Sequence, residues 1–72
     1  MSQKLYFAYL GGKMPANRLG EEHEVVFVVA SDSAEAKRKA KEKWSGDVKE
    51  GLHVDCLKEI TEVDGWNITL GK

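Results

Sequence analysis

The chain has one cysteine, Cys56, so no disulfide can close within it. A lone thiol fits a reducing compartment better than a secreted scaffold. No window is long and apolar enough to be read as a membrane-spanning helix. The opening residues Met1-Ser2-Gln3-Lys4 run straight into a strand-like segment, with no charged start and apolar stretch of the secretory kind. Neither sign of charge dominates: eleven basic against twelve acidic side chains leave a formal net charge of −1. That balance argues against a polyanion binder that works through its bulk field. Linkers, internal repeats and low-complexity tracts are missing too. The expectation is a cytoplasmic protein without a membrane segment, forming a single domain over residues 1–72. A domain this short buries roughly 60% of its unfolded surface, and its core is correspondingly thin.

What is present is alternation and capping. Lys4 to Leu10, KLYFAYL, is rich in aromatic and aliphatic side chains and reads as a strand. In it Leu5, Phe7 and Tyr9 face one way, and Tyr6, Ala8 and Leu10 the other. Gly11-Gly12 ends it, and the polar stretch Lys13 to Glu22 reads as a loop. His23 to Ala30, HEVVFVVA, is apolar on both faces and is expected to be a central strand, antiparallel to the first. Ser31-Asp32-Ser33 then opens a helix, with Asp32 and Glu35 at capping-box spacing. The helix is predicted to run to about Trp44 and to stop at Gly46, with Ala36, Ala40 and Trp44 as its inner stripe.

Leu52 to Val63 is predicted as a third strand, with Leu52, Val54, Cys56 and Ile60 on one side and His53, Asp55, Leu57 and Glu59 on the other. Asp64-Gly65 is a type I′ hairpin signal leading to a fourth strand, Trp66 to Leu70. The fold class is therefore α+β: β-β-α-β-β, a four-stranded mixed sheet with one helix packed on one face. Strands two and three, if parallel, need a crossover through the helix. The helix is expected to cover Val54, Cys56, Trp66 and Ile68, with Cys56 as a small core residue and the two tryptophans as core anchors. For Trp66, just after the turn, an interface position is the alternative. The other face, half apolar and open, suggests a partner surface.

No motif fixes a chemistry. The topology does predict that Gly11, Gly12, Arg18, Glu22, His23, Trp44, His53 and Asp55 gather at one end of the sheet. Imidazoles beside carboxylates can do acid–base work near neutral pH, or hold a divalent ion. The plainer reading is that His53 and Asp55 pair with each other or cap nearby backbone. The cluster sits at the amino ends of the second and third strands, where ligands of open sheets do not usually bind, and its spacing matches no recognised metal motif. No cofactor is implied. Gly11-Gly12 could present backbone N–H groups to an anion, with Arg18 assisting, but no helix or GK[ST] follows; the plainer role is to release a strand into a turn. The basic run Lys37 to Lys43 is interleaved with Glu42 and reads as the solvated side of a helix rather than a nucleic-acid contact.

The segments LYFAYLGG, EEHEVVFVVA and LHVDCLKEITEVDGW, with a short amphipathic helix ending at a tryptophan, resemble a bacterial family called domain of unknown function 1543. The resemblance covers roughly residues 4 to 68, and its marks are Gly11-Gly12, Glu22-His23 and His53-x-Asp55. It implies a fold unit carried in one or two copies, not an activity. A single copy could replace the second by forming a homodimer, through the open sheet face or an edge strand. The functional expectation is thus a non-catalytic interaction module. The alternative is a small enzyme or metal-binding protein using the His/Asp cluster.

Overall fold

The computed structural model describes residues 2–12, 22–45 and 51–72. Two strands, β1 (Lys4–Gly12) and β2 (Glu22–Ala30), precede helix α1 (Ser33–Glu42). Strand β3 (His53–Glu59) follows, then a short ribbon of β4 (Glu62–Val63) and β5 (Trp66–Asn67). The class is α+β.

The main sheet has three strands in the order β2-β1-β3. Strand β1 is antiparallel to both neighbours, so β2 and β3 run in the same direction on either side of it. The first strand, not the second, is therefore central, and β2 lies at an edge. An apolar run on both faces does not distinguish a central strand from an edge strand whose flank is otherwise protected. Here α1 supplies the protection. Lys39 Nζ donates to the carbonyl of Val29 at 2.7 Å, and Lys43 Nζ donates to that of Phe27. Lysines on an edge discourage pairing with another strand. The basic run of α1 is used largely in this way and in helix-surface pairs, such as Arg38 with Glu42 at 3.3 Å.

Helix α1 starts as its sequence dictates. Asp32 is the N-cap and its carboxylate accepts from the Glu35 N–H at 2.8 Å. Glu35 reaches back one residue further than a standard capping box, accepting from both the N–H (2.7 Å) and the hydroxyl (3.0 Å) of Ser31. These bonds hold the Glu35 carboxyl below its ordinary range. The Ser31 N–H contributes most and the Ser31 hydroxyl next; Lys39 and Arg38 add a smaller attraction against a small desolvation cost. The helix ends at Glu42, earlier than predicted, through tighter bonds from the N–H groups of Lys43 and Trp44 to Ala40 and Lys41. Trp44 still anchors this end, one residue beyond the C-cap. Gly46, the expected terminator, lies outside the described residues.

The core is Tyr6, Ala8 and Leu10 of β1, Val28 and Ala30 of β2, and Ala36, Ala40 and Trp44 from the helix. Ala8, Ala30, Ala36 and Ala40 are fully buried, so small side chains let the helix lie close on the sheet. Leu10 and Val28 are the largest fully buried side chains. Burying each contributes about 1.5–3 kcal/mol.

Strand β3 departs from simple alternation. Its register against β1 shifts between Tyr9 and Leu10: Val54 pairs with Leu10, Cys56 with Tyr9 and Leu57 with Ala8. Asp55 is the extra residue of a bulge, which reverses the strand's faces beyond it. Leu57 therefore packs against the core, while Cys56 is exposed, the opposite of the sequence expectation. The fourth strand differs too. The long third strand ends at Glu59, and β4 and β5 form a separate two-stranded ribbon rather than joining one four-stranded mixed sheet. Asp64 (φ 53°) and Gly65 (φ 83°) make the turn with left-handed backbone, as the type I′ signal predicts. Trp66 is 77% exposed and is not a core anchor. In place of Trp66 and Cys56, the helix side of the sheet receives Val26, Leu52, Val54 and Leu57. No helix among the described residues is long and apolar enough to cross a membrane.

Candidate functional site

The central strand decides which polar residues can meet. Gly11 pairs with His23 on one side and with His53 on the other. Strands flanking a central one stand about 10 Å apart. A side chain at position 11 would rise between them on the open face; glycine leaves that space clear. Through it Asp55 reaches both histidines. Its Oδ1 lies 2.9 Å from His53 Nε2 and its Oδ2 lies 3.4 Å from His23 Nε2. By alternation Asp55 shares the face of His53, and it keeps that side at the bulge.

The other ring nitrogen of His53, Nδ1, lies 2.9 Å from the carbonyl of Gly51. A carbonyl only accepts, so Nδ1 carries hydrogen. A hydrogen bond from Nε2 to Asp55 then requires a second proton on the ring. The arrangement sets an imidazole and a carboxylate within hydrogen-bond distance, with a second imidazole near the other carboxylate oxygen. His23 is fixed by the Tyr9 ring, which stacks on it at 5.1 Å with an interplanar angle of 3°. All three groups are solvent-accessible; the Asp55 side chain is 35% exposed. Each histidine addresses a different oxygen, so the carboxylate itself fills the middle of the cluster. No group of three potential metal ligands among the described residues is disposed to chelate an ion.

The predicted neighbourhood therefore divides between two faces. Gly11, His23, His53 and Asp55 share the open face. Gly12 and Glu22, paired with each other, belong by alternation to the helix face. There Gly12 makes room for Trp44 and Leu52, since a Cβ at position 12 would come within 3.1 Å of both side chains. Arg18 lies outside the described residues. Tyr9 was not among the sequence candidates; its signal was its place two residues before Gly11 on the same face.

Next to the cluster, the open face continues as an apolar surface. Phe7 meets Phe27 edge-on with ring centroids 6.0 Å apart. Phe27 is 54% exposed and Val25 47%, and Tyr9 and Val29 are also exposed.

A protein-family model described as Domain of Unknown Function (DUF1543) matches residues 18–70. No curated protein matches the sequence. Among solved structures, the crystal structure of a protein Il1583 from Idiomarina loihiensis is similar, with a TM-score of 0.78 and 34% sequence identity. The similarity covers 92% of this chain and 44% of that one, so the chain spans less than half the length of that protein.

Proposed function

Given that the chain belongs to the DUF1543 family, described only as a domain of unknown function, we propose that it is a non-catalytic interaction module that self-associates through the open face of its sheet. The observation that carries this reading is the apolar composition of that face. Leu5, Phe7, Tyr9, Val25, Phe27 and Val29 line it, and no element among the described residues covers it. Contiguous apolar surface on this scale marks an interaction site. The face is favoured over the β2 edge because Lys39 and Lys43 already occupy edge carbonyls there. An exposed, unpaired Cys56 on the same face suits a reducing compartment, in keeping with a cytoplasmic module. Sedimentation velocity over the micromolar range tests the proposal. A concentration-dependent dimer is expected, and a monomer at every concentration overturns it.

The His23–Asp55–His53 cluster supports a second reading, acid–base work at the end of the same face. Its motivation is the two-sided use of one accessible carboxylate, which sets acid–base side chains within hydrogen-bond reach of each other. Long-range ¹H–¹⁵N spectra of the rings test it. Asp55→Asn should shift the ring-nitrogen signals of both histidines together. If neither ring responds, no working cluster exists in solution.

A further inference from the structure

The ribbon β4–β5 poses a problem that the rest of the fold does not solve. Among the described elements, its two strands lie within 8 Å of each other and of no other, measured between Cα atoms. An isolated two-stranded hairpin is marginally stable at best in water. Yet this one carries Trp66, 77% exposed, directly opposite Val63, 48% exposed. Its base is tied down: the Ile60 N–H donates to the Leu5 carbonyl at 2.8 Å, and the Ile68 N–H to that of Thr61 at 2.9 Å. Beyond that base the ribbon projects. The radius of gyration, 13.8 Å, exceeds the roughly 11 Å expected of a compact chain of this length. The longest dimension is 42 Å against 26 and 20 Å.

We propose that the ribbon is an exchange arm: Trp66 and Val63 dock on the open sheet face of a second copy of this chain, whose own ribbon docks reciprocally. The inference rests on the self-association proposed above and names the surfaces that perform it. Two unpartnered apolar surfaces on one chain, a projecting arm and a flat face, close a two-fold dimer when each meets the other. Area favours this pairing over simple stacking of faces. Three strands of this length and spacing present a flat face of roughly 400 Å². A stable interface buries about 800 Å² on each partner. The face alone falls short. A largely exposed tryptophan adds on the order of 150 Å² to what the face can bury, and Val63 adds less.

The surfaces are also continuous and complementary. Leu70, which follows the ribbon, shares a shallow, mostly apolar groove of about 390 Å³ with Val29 of the open face. The ribbon carries Glu62 and Asp64 and no basic side chain, whereas Lys58 lies on β3, opposite Phe7, and Lys43 is bound at the Phe27 carbonyl. The acidic arm is thereby matched to Lys58, while Asp55 of the same face is engaged by His23 and His53.

Sedimentation equilibrium on the full chain, on Trp66→Ala, on Phe27→Asp and on an equimolar mixture of the two variants tests the inference, with circular dichroism to confirm folding. Each variant alone should dissociate at least about tenfold more readily than the parent. The mixture should associate more tightly than either variant alone, because one arm–face contact is then intact. In parallel, acrylamide quenching of Trp66 should weaken as the parent protein is concentrated, while buried Trp44 stays protected throughout. A parent dimer indifferent to Trp66→Ala overturns the arm and leaves the sheet-face reading standing. A mixture no tighter than its components also overturns the arm. A monomeric parent overturns both readings. If Phe27→Asp does not fold, Phe27→Thr takes its place.

Discussion

The two faces of one sheet are both apolar, yet they are built differently. The covered face uses Ala8 and Ala30 with Leu10 and Val28, and meets Ala36 and Ala40 of the helix. The open face carries Phe7, Tyr9 and Phe27, whereas the large rings of the covered side, Tyr6 and Trp44, are buried. Hydrophobicity alone would bury the open-face set as well. Close approach contributes: the helix alanines settle onto small side chains of the sheet, and the rings of Tyr6 and Trp44 complete the same core. The covered face thus keeps alanines where helix and sheet meet, while Phe27 and Tyr9 of the open face stand exposed.

That contrast can be broken by substitution. Leu10→Ala should have the largest effect, destabilising the fold by about 2–5 kcal/mol in chemical denaturation, since a fully buried side chain leaves a cavity. Ala40→Leu should cost about 1–3 kcal/mol, because the added atoms force the helix off the sheet. Asp32→Ala, which removes the N-cap acceptor, should cost about 1 kcal/mol and lower the helical signal. Phe27→Thr on the open face should cost the monomer about 0.5–1.5 kcal/mol, the worth of its edge-on contact with Phe7, while weakening association. Were Phe27→Thr to unfold the chain as readily as Leu10→Ala, the open face would be part of the core and the contrast would collapse.

The smallest expected effect is one of pH. The folded carboxyl of Glu35 sits below its unfolded value of 4.5 because Ser31 donates to its charged form. Its contribution to stability is therefore fully present above that value and is lost as pH falls through the lower, folded one. Acid titration followed by circular dichroism should show part of the helix signal lost below about pH 4.5. In Glu35→Gln that part should be absent, because the amide oxygen still accepts but does not titrate. An unchanged acid profile would remove Glu35 from the account of helix stability.

The candidate cluster was partly legible. That Gly11, His23 and His53 lie at one end of the sheet follows from strand direction alone, and the register places them side by side. Glu22 was misplaced because neighbours along a strand point to opposite faces, which removes it from His23's side. Asp55 was legible as well, since His53-x-Asp55 puts both side chains on one strand face; the bulge changed the residues that follow it. Val54, Cys56 and Leu57 are all apolar, so shifting the alternation by one residue leaves an equally plausible pattern. Nothing in the sequence favours Leu57 over Cys56 as the inward residue.

The sequence by itself determined the local elements. Alternating aromatic and aliphatic residues made β1 and β2, Asp32 with Glu35 began the helix, and Asp64-Gly65 required a turn that only left-handed backbone satisfies. These are consequences of short-range sterics and hydrogen bonding, readable within a few residues. Tertiary structure alone decided that β1 is central, that β3 bulges at Asp55 and that the terminal ribbon leaves the sheet. Strand order depends on long-range pairing, which here sets β1 between β2 and β3. That choice compares whole packings rather than neighbouring residues, and several packings share the same local pattern.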